Sequence, residues 1–143
     1  MTRAEEIAIE WECARLINRY ALLNDGGKWE ALVALYAKDG LMTRPTAPDD
    51  PIVGHEALLA AFTARPPRAS RHVCANIVVE VESATEARAE SVIALYTGSD
   101  PGDGGLPVLD GAPLIGTYRD RFRLTDDGWR FAERRGALDF RKA

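Results

Sequence analysis

The chain changes its periodicity once, at Pro66-Pro67, and that change limits the folds open to it. Before the two prolines, apolar residues recur at the helical period. After them, Val- and Ile-rich runs bounded by turn signals read as strands. Helices first and antiparallel strands later imply an α+β fold, one curved sheet with helices on one face.

Residues 4–23 carry Ile7, Trp11, Ala14, Leu16, Ile17, Tyr20 and Leu23 at helical spacing. Thr2 with Glu5 three positions on reads as a capping box, and Asn24-Asp25-Gly26-Gly27 as the helix end. A second helix is expected from Lys28 to Ala37, a short strand from Leu41 to Arg44, and a loop over the proline-rich Pro45 to Pro51. A third helix runs from Glu56 to Thr63 and stops at Pro66-Pro67. Strands are expected over 71–82, 87–97 and 114–124, and from Trp129 to about Phe140. Ser83-Ala84-Thr85-Glu86 and Thr125-Asp126-Asp127-Gly128 read as hairpin turns. Ser99 to Pro113 holds four glycines and three prolines, so it reads as a long loop, a functional or disordered segment.

A length of 143 residues suits one domain, taken as residues 1–143, with 46% hydrophobic residues to build a core and one cavity. A formal charge of −4 argues against nucleic acid as a partner. The arginines of the last third, Arg119, Arg121, Arg123, Arg130, Arg134 and Arg135, are interleaved with acids and read as a solvated sheet face or an oligomer contact. Cys13 and Cys74 read as buried free thiols. No apolar run approaches the roughly 18 residues of a membrane helix, and Met1-Thr2-Arg3-Ala4-Glu5-Glu6 has no signal-peptide pattern. A cytoplasmic protein without membrane contact is the expectation.

Chemistry narrows to few residues. Asp25 ends the first helix, and His72 opens an apolar strand. A carboxylate that orients a neutral imidazole is the smallest unit able to abstract a proton near neutral pH. Strand parity sets His72, Cys74, Asn76 and Val78 on one face. A core histidine bonded to a backbone carbonyl satisfies the same pattern. Tyr20 lies about a turn behind Asp25 and could flank the same cavity mouth, or be a core aromatic. Tyr118, Asp120, Phe122 and Leu124 share a face, with Asp120 expected to pair with an arginine of the next strand. One of Arg134 and Arg135 must point inward, as an anion clamp or in a surface charge ladder. His55 and His72 lack metal-ligand spacing, so neither a metal nor another cofactor is expected.

Several stretches together resemble the SnoaL-like branch of the nuclear transport factor 2-like superfamily. They are Arg19 to Asp25 with Trp29, Leu35 to Gly40, Val53 to Leu58, Arg71-His72 with Asn76, Gly116 to Asp120, and Trp129 to Arg135. The resemblance implies a cone-shaped, mixed or antiparallel curved sheet with three N-terminal helices packed on its concave face. It is similar to scytalone dehydratase, bile-acid 7α-dehydratase and hexachlorocyclohexane dehydrochlorinase, which use an Asp–His dyad at the places of Asp25 and His72. Tyr20 matches the tyrosine of the bile-acid enzyme, where the dehydrochlorinase has a lysine, and Arg134 aligns with the latter's pocket arginine. Asn24 and Thr97 stand where scytalone dehydratase has a tyrosine and a second histidine.

The implied function is a cofactor-independent lyase or isomerase acting on a small hydrophobic, cyclic substrate. His72, Asp25 and Tyr20 are its expected catalytic residues. Arg134, Asn76, Tyr118, Asn24 and Trp29 are its expected substrate-binding residues. A non-catalytic binding or assembly module of the same fold is the alternative. The convex sheet face needs covering, so a homodimer is expected, with a trimer as the other option.

Overall fold

Helix α1 (Arg3–Asp25) starts at the predicted capping box in the computed structural model, which describes residues 1–143. The Glu5 amide donates to Thr2 Oγ1 at 3.2 Å, and the Thr2 amide donates to Glu5 Oε2 at 2.6 Å. Its buried stripe is Cys13, Leu16, Ile17, Tyr20, Ala21 and Asn24, at the three- and four-residue spacing of one helix face. Ile7 and Trp11 lie outside this stripe and are exposed, Trp11 beneath the Arg15 guanidinium.

Helix α2 (Trp29–Val33) ends earlier than the predicted Ala37. Strand β1 (Tyr36–Arg44) begins there instead, because it pairs in parallel with the last strand, β7 (Gly128–Leu138), through Tyr36 opposite Phe131. The Phe131 amide donates to the Leu35 carbonyl at 2.9 Å. This pairing outweighs the helical pattern. The segment expected as a proline-rich loop is strand β2 (Ala47–Val53), antiparallel to β1. It is an edge strand, the place in a sheet where Pro48 and Pro51 do least damage to the ladder.

After α3 (His55–Thr63) come β3 (Ala69–Val81), β4 (Glu86–Ser99), a two-residue β5 (Val108–Leu109) and β6 (Leu114–Thr125). The expected 99–113 loop therefore carries a short strand, bound to β4 at Gly98 and Ser99. Thr97 and Ser99 hydroxyls both donate to Asp110, which pins the end of this segment. The strand order is β2-β1-β7-β6-β4-β3, with β5 beside β4, and only the β1–β7 pair is parallel. The three helices pack against this curved, unclosed, mostly antiparallel sheet, an α+β cone as the resemblance implies.

Two irregularities bend the sheet. In β3 the register shifts between Ala75 and Val78, with Asn76 at φ +52°. In the β6–β7 pair it shifts between Arg121 and Phe122. An extra residue on one strand increases local twist. The concave side collects Tyr20, Tyr36, Phe62, Phe122 and Phe131 into one aromatic core. Full burial of each such side chain stabilises the fold by about 1.5–3 kcal/mol. The opposite face of the sheet shows exposed Arg88, Glu90, Arg119, Arg121 and Arg135, the charged face read from the arginine spacing. No helix is long and apolar enough to cross a membrane.

Candidate active site

Between the helices and the sheet lies a cavity of about 250 Å³, just below the usual ligand-site range of roughly 300–1,000 Å³. Tyr20 and Asn24 reach it from α1, Met42 and Arg44 from β1, and Phe62 from α3. The sheet supplies His72 from β3, Ile93 and Leu95 from β4, Leu114 and Tyr118 from β6, and Leu138 from β7. Gly136 lets this wall close. A Cβ there would lie 2.7 Å from Pro45 Cγ and 2.9 Å from Tyr118 Cε1, both in lining residues.

Asp25 and His72 meet, although 47 positions separate them. The end of α1 abuts the first residues of β3. Asp25 Oδ1 accepts from His72 Nδ1 at 2.5 Å and from Ser70 Oγ at 3.1 Å. Asp25 Oδ2 accepts from the His72 backbone amide at 2.8 Å. An ionised carboxylate only accepts, so the proton of a neutral imidazole sits on Nδ1 and the lone pair on Nε2. His72 lines the cavity, with its side chain 8% exposed. Burial lowers its pKa below the ordinary 6.5, and the Asp25 hydrogen bond only partly offsets this. The nearby charges of Arg68 and Arg65 lower it further. The imidazole is thus neutral at neutral pH, as a proton acceptor must be.

Tyr20 stands in the cavity wall. Its hydroxyl accepts from Tyr36 Oη at 3.0 Å and faces Met42 Sδ at 3.4 Å. Sulfur is a weak acceptor, so the Tyr20 proton remains available to a stronger one in the cavity. Burial raises the Tyr20 pKa, which keeps the phenol protonated. Tyr118 lines the cavity as expected, and so does Asn24, whose Oδ1 accepts from Arg65 Nη1 at 3.0 Å.

Three residues expected to bind substrate, Arg134, Asn76 and Trp29, do not line the cavity. Arg134 points inward but is sealed at 1% exposure, beneath the rings of Tyr118 and Tyr20 at 3.9 and 4.4 Å. Its Nε lies 3.3 Å from Asp120 Oδ1, the ion pair expected of Asp120. It reaches the cavity only through the two rings. Asn76 is exposed and lies away from the cavity, because the bulge in β3 reverses strand parity after Cys74. Ile77 and Val79 point inward in place of Asn76 and Val78. Trp29 stacks on Phe62, centroids 5.4 Å apart, behind the wall that Phe62 presents.

Sequence reasoning missed Ser70, which holds Asp25, and the arginines Arg44, Arg65 and Arg68 of the lining. The Arg65-Pro66-Pro67-Arg68 stretch was legible only as a helix stop. Its closeness to His72 in the chain was the available signal. No three His, Cys, Asp or Glu side chains come together as metal ligands.

A family model described as a SnoaL-like domain matches residues 5–135. An NTF2-like protein with a cystatin-like fold from Novosphingobium aromaticivorans superposes with a TM-score of 0.82 at 25% identity, over 99% of this chain and 88% of its own. A candidate scytalone dehydratase from the same organism gives 0.78 at 20% identity, over 99% and 94% of the two chains. A protein from Catenulispora acidiphila, solved in complex with S-DNPA, gives 0.73 at 22% identity, over 93% and 95%. No curated protein matches the sequence significantly.

Proposed function

The chain belongs to the SnoaL-like domain family, and from the Asp25–His72 contact, which presents His72 to a partly apolar cavity, we propose a cofactor-independent lyase or isomerase. Its substrate is a small hydrophobic, cyclic molecule with an acidic C–H bond. His72 Nε2 removes that proton. Asp25 holds the tautomer and stabilises the imidazolium that forms. Tyr20, polarised by the hydrogen bond from Tyr36, donates to the oxygen on which charge develops. The electron pair then expels a β leaving group or returns to another carbon. The proposal carries with it a single-domain cytoplasmic homodimer that needs no metal.

The carrying observation is the 2.5 Å bond from Nδ1 to Asp25, which leaves Nε2 unpaired in a residue of the cavity lining. A screen of hydroxylated cyclic ketones, steroids and polyketide-like phenols in D₂O, read by mass spectrometry, tests it. Deuterium uptake, water loss or double-bond migration is expected for some member. Binding without any of these would favour the module of the same fold that only holds a ligand.

Two results should follow with an active substrate. kcat/KM should fall as pH drops through the pKa of His72, below 6.5, since protonation removes the base. Tyr20→Phe should lower kcat far more than it changes KM, by up to the ~10²–10³-fold typical of one lost oxyanion donor. Tyr36→Phe, one hydrogen bond further away, should cost less.

A further inference from the structure

The cavity lining combines an apolar set of side chains with three arginines. Met42, Phe62, Ile93, Leu95, Leu114 and Tyr118 give it an apolar floor. Arg44, Arg65 and Arg68 line it as well. None of the three forms an ion pair, although nine arginine–carboxylate ion pairs occur in the chain. Arg44 Nη2 donates to the Ala61 carbonyl at 3.0 Å, and Arg65 Nη1 to Asn24 at 3.0 Å, with its guanidinium over the Trp29 ring. Both side chains are held in place, yet each keeps further N–H groups free. Arg68 has no hydrogen-bonding or ionic partner and is exposed. The lining holds no carboxylate, and Asp25 behind His72 is occupied by Ser70 and His72, with Arg71 Nη1 3.9 Å away.

Three cations around one small cavity repel one another. Burial lowers the Arg65 pKa, and the charges of Arg68 and Arg44 lower it further. A chain of formal charge −4 leaves all three of these arginines without a paired carboxylate. An anion placed among them relieves the repulsion and gains charge-assisted hydrogen bonds, and a carboxylate is the smaller of the two anions, carboxylate and phosphate, that fit the planar guanidinium fork.

We infer that the ligand of this cavity is a compact apolar molecule bearing a carboxylate, its ring over the apolar floor and its carboxylate among Arg44, Arg65 and Arg68. The inference rests on the proposed reading of the cavity as the substrate site. It narrows the substrate from any hydrophobic ring compound to a ring acid. Such a ligand also brings a negative charge beside His72, which opposes the effect of Arg65 and Arg68 and makes the imidazole a stronger base.

Calorimetric titration of the intact protein with benzoate, cyclohexanecarboxylate and naphthoate, each against its primary amide, tests this. At least one acid should bind more tightly than its amide by about tenfold or more, the scale of one charge-assisted hydrogen bond. The preference should shrink between about 0.01 M and about 0.15 M salt, as the Debye length falls from ~30 to ~8 Å. It should also shrink in Arg68→Gln, a change at an exposed side chain that does not threaten folding. Equal affinity for acids and amides, no binding by any acid, or a preference untouched by Arg68→Gln overturns the inference. The titration needs no turnover. Acid preference without any proton abstraction sinks the dyad reading and leaves the carboxylate seat standing. Elimination on neutral ring compounds without acid preference does the reverse.

Discussion

His72→Ala should remove turnover by about 10²–10⁴-fold, the contribution of one positioned general base, while the fold barely changes. The reason lies in how Asp25 is held. Its carboxylate accepts from the residue-72 backbone amide at 2.8 Å and from Ser70 at 3.1 Å, and neither bond needs the imidazole. Loss of the ring therefore leaves α1 docked on β3. Asp25→Asn should behave differently. Its amide offers one acceptor oxygen where the carboxylate serves three donors with two. A backbone N–H then faces an NH₂ group, at a cost of about 1–3 kcal/mol for an unsatisfied buried donor. In the flipped orientation the oxygen satisfies that backbone N–H, and the NH₂ group instead donates to Nδ1 and moves the imidazole proton to Nε2, where no lone pair remains for catalysis. The equivalent change in a serine protease triad lowers kcat by about 10⁴. Thermal melts and progress curves on the two variants separate the roles. Full activity in either variant would refute the dyad, and an equal drop in melting temperature for both would refute the division of labour.

The sequence was most legible where local signals and the final packing agree. The capping box at Thr2, the Asp-Gly turn before β7 and the strand runs of β3, β4 and β6 all fold as their residues prescribe. Strand parity also turned one of two adjacent arginines inward. Local reading failed where a partner strand decided the outcome. Tyr36 left a helical pattern to pair with Phe131, and the prolines of β2 were tolerated because only one of its edges is paired. Asn76 shows how one bulge undoes a parity argument for every residue after it. The Asp25–His72 contact was not derivable from spacing, since it depends on where the end of α1 meets β3, and it came into view through resemblance. The arginine cluster had neither aid. Arg44 reaches the cavity from β1 and Arg65 and Arg68 from beyond α3, so only the folded chain shows three like charges side by side.

Arg134→Met should destabilise the protein by about 3–5 kcal/mol, the usual cost of orphaning a buried charge, and the loss should grow with pH. Asp120 is fully buried, and burial already pushes its carboxyl up to about 6 with Arg134 beside it. Without the guanidinium, that value rises further above the ordinary 3.8. A carboxyl with a raised folded-state pKa costs nothing where both states are protonated, below about pH 4. The penalty accumulates as pH climbs from the ordinary 3.8 to the raised folded-state value, and is constant above it. Denaturant melts of Arg134→Met against the parent, at acid and neutral pH, should therefore diverge upward in pH. Constant loss across that range would show that lost packing on Tyr20 and Tyr118, and not the stranded charge, dominates. The double change Asp120→Leu with Arg134→Met should behave otherwise. Neither carboxylate oxygen, nor Arg134 Nε or Nη2, has a hydrogen-bond partner. The pair thus bears its desolvation cost without the bonds that normally offset it, and an apolar pair of similar volume should restore or exceed parental stability. What the double variant should lack is activity. Arg134 lies under the rings of both Tyr20 and Tyr118, and its charge opposes the burial that raises the Tyr20 pKa. Removing it leaves Tyr20 a poorer acid toward the developing oxyanion, so kcat should fall while KM changes little. A stable double variant with parental kcat would assign the ion pair no part in the chemistry.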